Sequence, residues 1–156
     1  MEIRNAGQED IPQLLALLSQ VLELHAAIRP DIFMSGTTKY TQTEVAEILR
    51  SENKRTYVAV DGDCVLGYAF CEIRQQPFSN TMVPFFSFFI DDLCVDSAAR
   101  GRQIGRQLFE HAKAEAKKLG CYELTLNVWE GNDAARAFYD KMGMRPKETQ
   151  LELILG

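Results

Sequence analysis

The sequence predicts a single α/β domain spanning residues 1–156, with strands and amphipathic helices mixed along the chain, and three observations carry that prediction. First, Asp61-Gly62-Asp63 separates two apolar runs, RTYVAV and CVLGYAFCEIR, and Asp-Gly between such runs is a strong hairpin signal. Second, segments with leucines at helical spacing alternate with short runs rich in β-branched and aromatic residues. Third, 156 residues with 46% hydrophobic and 25% charged content suit one globular domain, and no stretch has the composition of a linker.

The elements follow in order. MEIRNA alternates apolar and polar residues and reads as a short first strand. A helix from Asp10 to Ile28 follows, with Asp10 as its N-cap and Pro12 in its first turn. Pro30 and Gly36 interrupt it. Thr41 and Glu44 have the spacing of a capping box and open a second helix to Arg50. The hairpin comes next, then a loop over QQPFSNTMVP and a long strand, FFSFFIDDLCV. From Gly105 to Leu119 the apolar positions Leu108, Phe109, Ala112, Ala116 and Leu119 keep helical period. Lys117 and Lys118 complement the dipole of that helix, and Gly120 stands where a C-cap belongs. ELTLNV is a strand, NDAARAFYDKM a helix stopped by Gly143, and LELIL a final strand.

Charge and cysteine usage narrow the function. A net charge of -5 and a pI near 5.1 oppose affinity for nucleic acid, which calls for a basic surface. Cys64, Cys71, Cys94 and Cys121 form no C-x-x-C pair, so neither a zinc clip nor a disulfide framework is expected, and no metal site is assigned. The first residues have no cationic segment followed by an apolar one. The longest apolar runs, around Val83 to Ile90, are much too short to span a bilayer. The expectation is a cytoplasmic protein that binds neither nucleic acid nor membrane.

Against this acidic background one segment is cationic: VDSAARGRQIGRQLFE holds Arg100, Arg102 and Arg106 with no Asp or Glu between Ser97 and Phe109. It joins a buried strand to a long helix. A helix N-terminus presents unpaired backbone N–H groups at the positive end of its dipole, so anions bind there. Gly101 and Gly105 let the backbone approach a ligand, and arginines fit phosphate oxygens. A purely structural helix start favours Asp or Glu instead, so the segment points to a phosphate or pyrophosphate ligand. Neither the dinucleotide fingerprint nor the G-K-[ST] phosphate loop is present.

A second constellation lies at Asn132 to Met144. At about 100° per residue, Asn132, Ala135 and Tyr139 share one side of a helix while Phe138 and Met142 face the core. Two polar groups thus flank one small residue, which leaves room for a narrow ligand. Taken alone, Asn132 is equally an N-cap and Tyr139 a residue at the core edge.

Together, RGRQIG at 100–105 and NDAARAFYDKMGM at 132–144 resemble the GNAT superfamily of acetyl-CoA-dependent N-acetyltransferases. That family's phosphate loop reads Q/R-x-x-G-x-G/A after a buried strand, and its later helix reads N-x-x-A-x-x-F/L-Y before G-F or G-M. The loop departs at one position, where Gln103 replaces the middle glycine, and a negative φ is expected there. The resemblance implies a mixed, mostly antiparallel sheet of six to seven strands flanked by about four helices, with two central parallel strands splayed apart.

The resemblance further implies acetyl-CoA as cosubstrate, its pantetheine arm lying between the splayed strands. Leu93, Cys94 and Val95 would run along the arm, Arg100, Gly101, Arg102, Gln103, Ile104, Gly105 and Arg106 would wrap the pyrophosphate, and Asn132, Ala135 and Tyr139 would complete the site. Asp91 is expected as the general base and Tyr139 as the donor to the departing thiolate. Asp91 and Asp92 are adjacent, so alternation puts them on opposite faces, Asp91 with Leu93 and Val95, within an apolar wall of Phe86, Phe88, Phe89 and Ile90. Glu72 and Glu123 are further carboxylates for the base. His25, Arg29, Asp31 and Phe33 are expected to wall the amine acceptor, with Asp91 also in contact with it. The implied activity is acetyl transfer to a primary amine of a small molecule or peptide by direct attack, in a homodimer. The alternative is a sensor that binds acyl-CoA without turnover and needs neither Asp91 nor Tyr139.

Overall fold

The computed structural model describes residues 1–75 and 79–156. Five strands form one sheet in the order β1-β2-β3-β4-β5: β1 Glu2–Asn5, β2 Lys54–Asp61, β3 Cys64–Gln75, β4 Phe86–Val95 and β5 Glu123–Leu126. The pairings are antiparallel except β4 with β5, which is parallel. Gly62, at φ 61°, makes the hairpin turn between β2 and β3. Residues 76–78 of the following loop lie outside the described residues.

Helices α1 Ile11–Ile28 and α2 Gln42–Arg50 cover one face of the sheet, while α3 Ile104–Lys118 and α4 Asp133–Lys141 cover the other. The first face buries Leu14, Leu18, Val45, Val58, Tyr68 and Phe70. The second buries Tyr57, Phe88, Ile90, Ile104, Leu108 and Phe109. With the turn before it, α1 makes a 21-residue helical segment long and apolar enough to cross a bilayer, contrary to the expectation that no run reaches that length. Its Leu14, Leu17, Leu18 and Leu22 lie in the core.

Local chemistry explains most boundaries. Thr41 Oγ1 accepts from Glu44 N and Glu44 Oε1 from Thr41 N, closing the capping box of α2. Asp10 departs from expectation: its side chain makes no cap bond to α1. The buried carboxylate instead accepts from both Arg4 Nη atoms, at 2.8 and 3.0 Å, and from Gly7 N. Those bonds, above all the one from Arg4, hold its pKa below the usual carboxylate value.

The strand count is also corrected, to five among the described residues. The segment expected as a last strand has no strand partner; residues 145–156 form neither helix nor strand. Leu151, Leu153, Ile154 and Leu155 are 67–89% exposed. Glu152 ties this tail to Arg29, just past α1, at 2.6 Å.

Candidate functional site

The site is built around an irregularity in β4. Cys71 of β3 pairs with Ile90 and Phe70 with Asp92, which leaves Asp91 as the extra residue of a β-bulge. Bulges re-aim side chains and bend the strand that carries them. On its other side β4 pairs with β5 only from Ser87 to Ile90. Beyond Ile90 the two parallel strands separate, and Asp91 to Val95 border an open wedge.

The bulge overturns the expectation that Asp91 and Asp92 point to opposite faces. Asp91 Oδ2 accepts from the Tyr40 hydroxyl and Oδ1 from Lys39 Nζ at 3.1 Å. Asp92 Oδ2 accepts from the Tyr68 hydroxyl at 2.7 Å. Both tyrosines pack in the α1 and α2 cluster, whereas Leu93 and Val95 pack toward α3. In place of an all-apolar wall, Asp91 meets an ammonium and a phenol. Lys39, Tyr40 and Tyr68 were not singled out from the sequence, because only the long-range register brings them to the carboxylates. Burial pushes the Asp92 carboxyl above its ordinary value although the Tyr68 bond opposes this.

On the α3 side of the wedge, Val95, Arg100, Gly101, Gln103, Gly105 and Phe138 border a cavity of about 280 Å³. Gly101 has φ 85°. Gln103 has φ 62°, ψ 21°, in the left-handed region, so the expected negative φ is wrong. The loop keeps the backbone shape that a glycine would take there, at a cost of about 1–2 kcal/mol for a residue with a Cβ. Gln103 does not cap α3 with its side chain, and the first turn of α3 contains no acidic residue. The N–H groups of Ile104, Gly105 and Arg106, residues that border the cavity, therefore have no side-chain cap from Gln103. Arg102 pairs with Asp61 at 3.4 Å; among the described residues, Arg100 and Arg106 form no ion pair. A Cβ on Gly105 would lie 3.4 Å from the Phe138 ring and 3.6 Å from Val95, so the bare glycine keeps this floor open. Arg100 and Arg106, with the backbone N–H groups at the start of α3, fit the pyrophosphate of a coenzyme A.

On α4, Asn132 Oδ1 accepts from Ala135 N at 3.4 Å, a cap that leaves its amide NH₂ group uncommitted. Ala135 and Tyr139 are half-buried one turn apart. Tyr139 packs its ring against Phe109 and Phe138. Burial, and next the Asp92 carboxylate, push its phenol well above the ordinary value, so it stays protonated and able to donate. Cys94 is buried, and its thiol is pushed up to about 12 by burial, which leaves a neutral side chain and a backbone that borders the wedge.

On the α1 and α2 side of β4, a cavity of about 150 Å³ is bordered by Tyr40, Lys54, Phe70, Glu72, Arg74 and Asp91, the residue at which the wedge begins. The residues expected to wall the acceptor gather elsewhere. Phe33 stacks between His25, at 5.2 Å, and Trp129, at 5.1 Å, while Arg29 is engaged by Asp31 and Glu152. Of the expected acceptor residues only Asp91 lines this cavity.

The acetyltransferase (GNAT) family profile matches residues 18–144. The chain belongs to the GNAT family. It is 27% identical over 151 residues to the thialysine N-epsilon-acetyltransferase of Bos taurus, covering 90% of this chain and 82% of that one. It is 37% identical over 62 residues to the glucosamine 6-phosphate N-acetyltransferase of Arabidopsis thaliana, a segment that spans 40% of each protein. A crystal structure of a mutant of the BH1408 protein from Bacillus halodurans superposes on this GNAT chain with a TM-score of 0.95 at 33% identity, covering 99% of both. The mixed sheet with a splayed parallel pair is therefore the fold of a family whose members use acetyl-CoA.

Proposed function

We propose that the protein transfers the acetyl group of acetyl-CoA to a primary amine of a small molecule or peptide, by direct attack of the amine. One observation carries this reading. The bulge at Asp91 stands between an arginine- and glycine-bearing loop that borders one cavity and a second cavity bordered by carboxylates. Acetyl-CoA supplies an acyl group activated as a thioester.

The residues supply the rest. Arg100 and Arg106, with the N–H groups of Ile104 to Arg106, hold the pyrophosphate. Asn132 and the edge of β4 from Leu93 to Val95 hold the arm. An amine with a pKa near 10.4 must lose a proton first, at a cost of about 4.6 kcal/mol at pH 7, and Asp91 at the mouth of the cavity accepts it. Tyr139 donates a hydrogen bond to the thiolate as it departs. A phenol is too weak an acid to protonate a thiolate outright, so stabilisation rather than full transfer is its role. We also propose a homodimer, supported by the exposed leucines of the tail, a surface that soluble chains cover.

The test is thiol release from acetyl-CoA against a panel of polyamines, aminoglycosides, amino acids, amino sugars and peptide N-termini, with mass spectrometry of the products. An acetylated amine is expected. Acetyl-CoA binding without thiol release from any amine would make the protein an acyl-CoA sensor instead.

A further inference from the structure

We infer that the acceptor carries an anionic group as well as its amine, a carboxylate or a phosphate held by Lys54 and Arg74 while the amine faces Asp91. This deepens the N-acetyltransferase reading and rests on it.

Size is the first argument. A cavity of about 150 Å³ falls below the roughly 300–1,000 Å³ that drug-sized ligands occupy, so the part of the acceptor seated here is small.

Charge is the second. Glu72 accepts from Arg74 Nε at 2.7 Å, and its other oxygen lies 3.9 Å from Lys54 Nζ. One carboxylate thus faces two cations. Asp91, at the other end, already carries Lys39. Among the described residues two cations, Lys54 and Arg74, and two carboxylates, Glu72 and Asp91, line the cavity, while Lys39 offsets Asp91 from outside the lining; Glu72, shared by two cations, has no charge left for a second ammonium from a polyamine. The surplus positive charge lies at the Lys54 and Arg74 end.

Orientation is the third. The Arg74 guanidinium stacks on the Phe89 ring with its carbon 3.7 Å from the centroid, and it meets Glu72 through Nε alone. Stacking fixes its plane, and among the described residues no second carboxylate meets it. A planar guanidinium held this way presents its remaining N–H groups as a fork for carboxylate or phosphate oxygens. Tyr40 and Phe70, their rings 5.9 Å apart, line the same cavity and provide an apolar wall for the carbon chain of the acceptor.

The test compares matched acceptors that differ only in the anionic group: lysine against cadaverine, and an amino sugar phosphate against the free amino sugar. Each is measured for thiol release and, separately, for binding by calorimetry. The anionic member of at least one pair is expected to bind roughly tenfold to a hundredfold more tightly, the worth of hydrogen bonds to charged groups. The pair that shows the gap identifies carboxylate or phosphate as the group. Arg74→Gln and Lys54→Gln should raise KM for that acceptor by about tenfold with little change in kcat, and leave its neutral or polycationic counterpart unaffected. Thiol release with cadaverine and the free amino sugar preferred would overturn the anion site and keep the transferase. Preferential binding of the anionic acceptor with no thiol released from any amine would keep the anion site and overturn the transferase.

Discussion

Asp91 and Asp92 differ by one position and by nearly everything that sets their chemistry. Asp91 sits at the cavity mouth with Lys39 and Tyr40; Asp92 is half-buried, bonded to Tyr68 and close enough to Tyr139 to act on its charge. Replacing Asp91 by Asn is expected to lower turnover most at neutral pH. Partial recovery should appear toward about pH 9–10, where more of an amine with pKa near 10.4 is already free. A pH–rate profile with unchanged shape would assign the base elsewhere. For Asp92 the sign runs through stability. Its folded pKa is raised, so its contribution is full below the ordinary carboxylate value of about 3.9 and is lost as pH rises through the folded one. Asp92→Asn should therefore melt higher than the wild type at pH 7, and the gain should shrink as pH falls toward the ordinary value. Melting curves that stay parallel across that range would contradict the raised carboxyl of Asp92. Neither distinction could be read from the sequence, because alternation alone separates the two side chains. The bulge that reunites them depends on the register of β3 against β4.

Among the elements, α3 and its entry loop were the most legible. Three arginines, two glycines and a missing acidic first turn are local features, and local features survive folding. The left-handed φ of Gln103 was not legible in the same way, since the side chain argues for the opposite. The loop closes over the start of α3 only if that residue takes the shape of a glycine. Gly105→Glu should abolish acetyl-CoA binding, because a Cβ there already touches Phe138 and Val95 and the added carboxylate repels phosphate. Glu110→Gln, further along α3 and paired only loosely with Lys113 at 4.0 Å, should leave affinity unchanged. Calorimetric titration of both variants with acetyl-CoA decides the placement, and equal losses would count against it. The tail was misjudged for a physical reason: LELIL has strand composition, but a strand needs a partner edge, and among the described residues none meets it.

At the scale of the whole molecule, that unpartnered tail and the wedge make separate claims. Four large apolar side chains exposed over five positions predict self-association, and light scattering at tens of micromolar should give the mass of a dimer; a monomer would remove the idea. The central claim is that acetyl transfer takes place in the wedge, between the loop of α3 and the cavity at Asp91, with Tyr139 steadying the leaving thiolate. Its most direct test is Tyr139→Phe, which keeps the ring on Phe109 and Phe138 and removes one donor. Loss of one such donor in a preorganised site costs about 2.7–4 kcal/mol. Turnover should fall roughly a hundredfold to a thousandfold, while acetyl-CoA affinity changes little because a thioester sulfur is a poor acceptor. Turnover equal to the wild type, or a loss matched by acetyl-CoA affinity, would contradict the account.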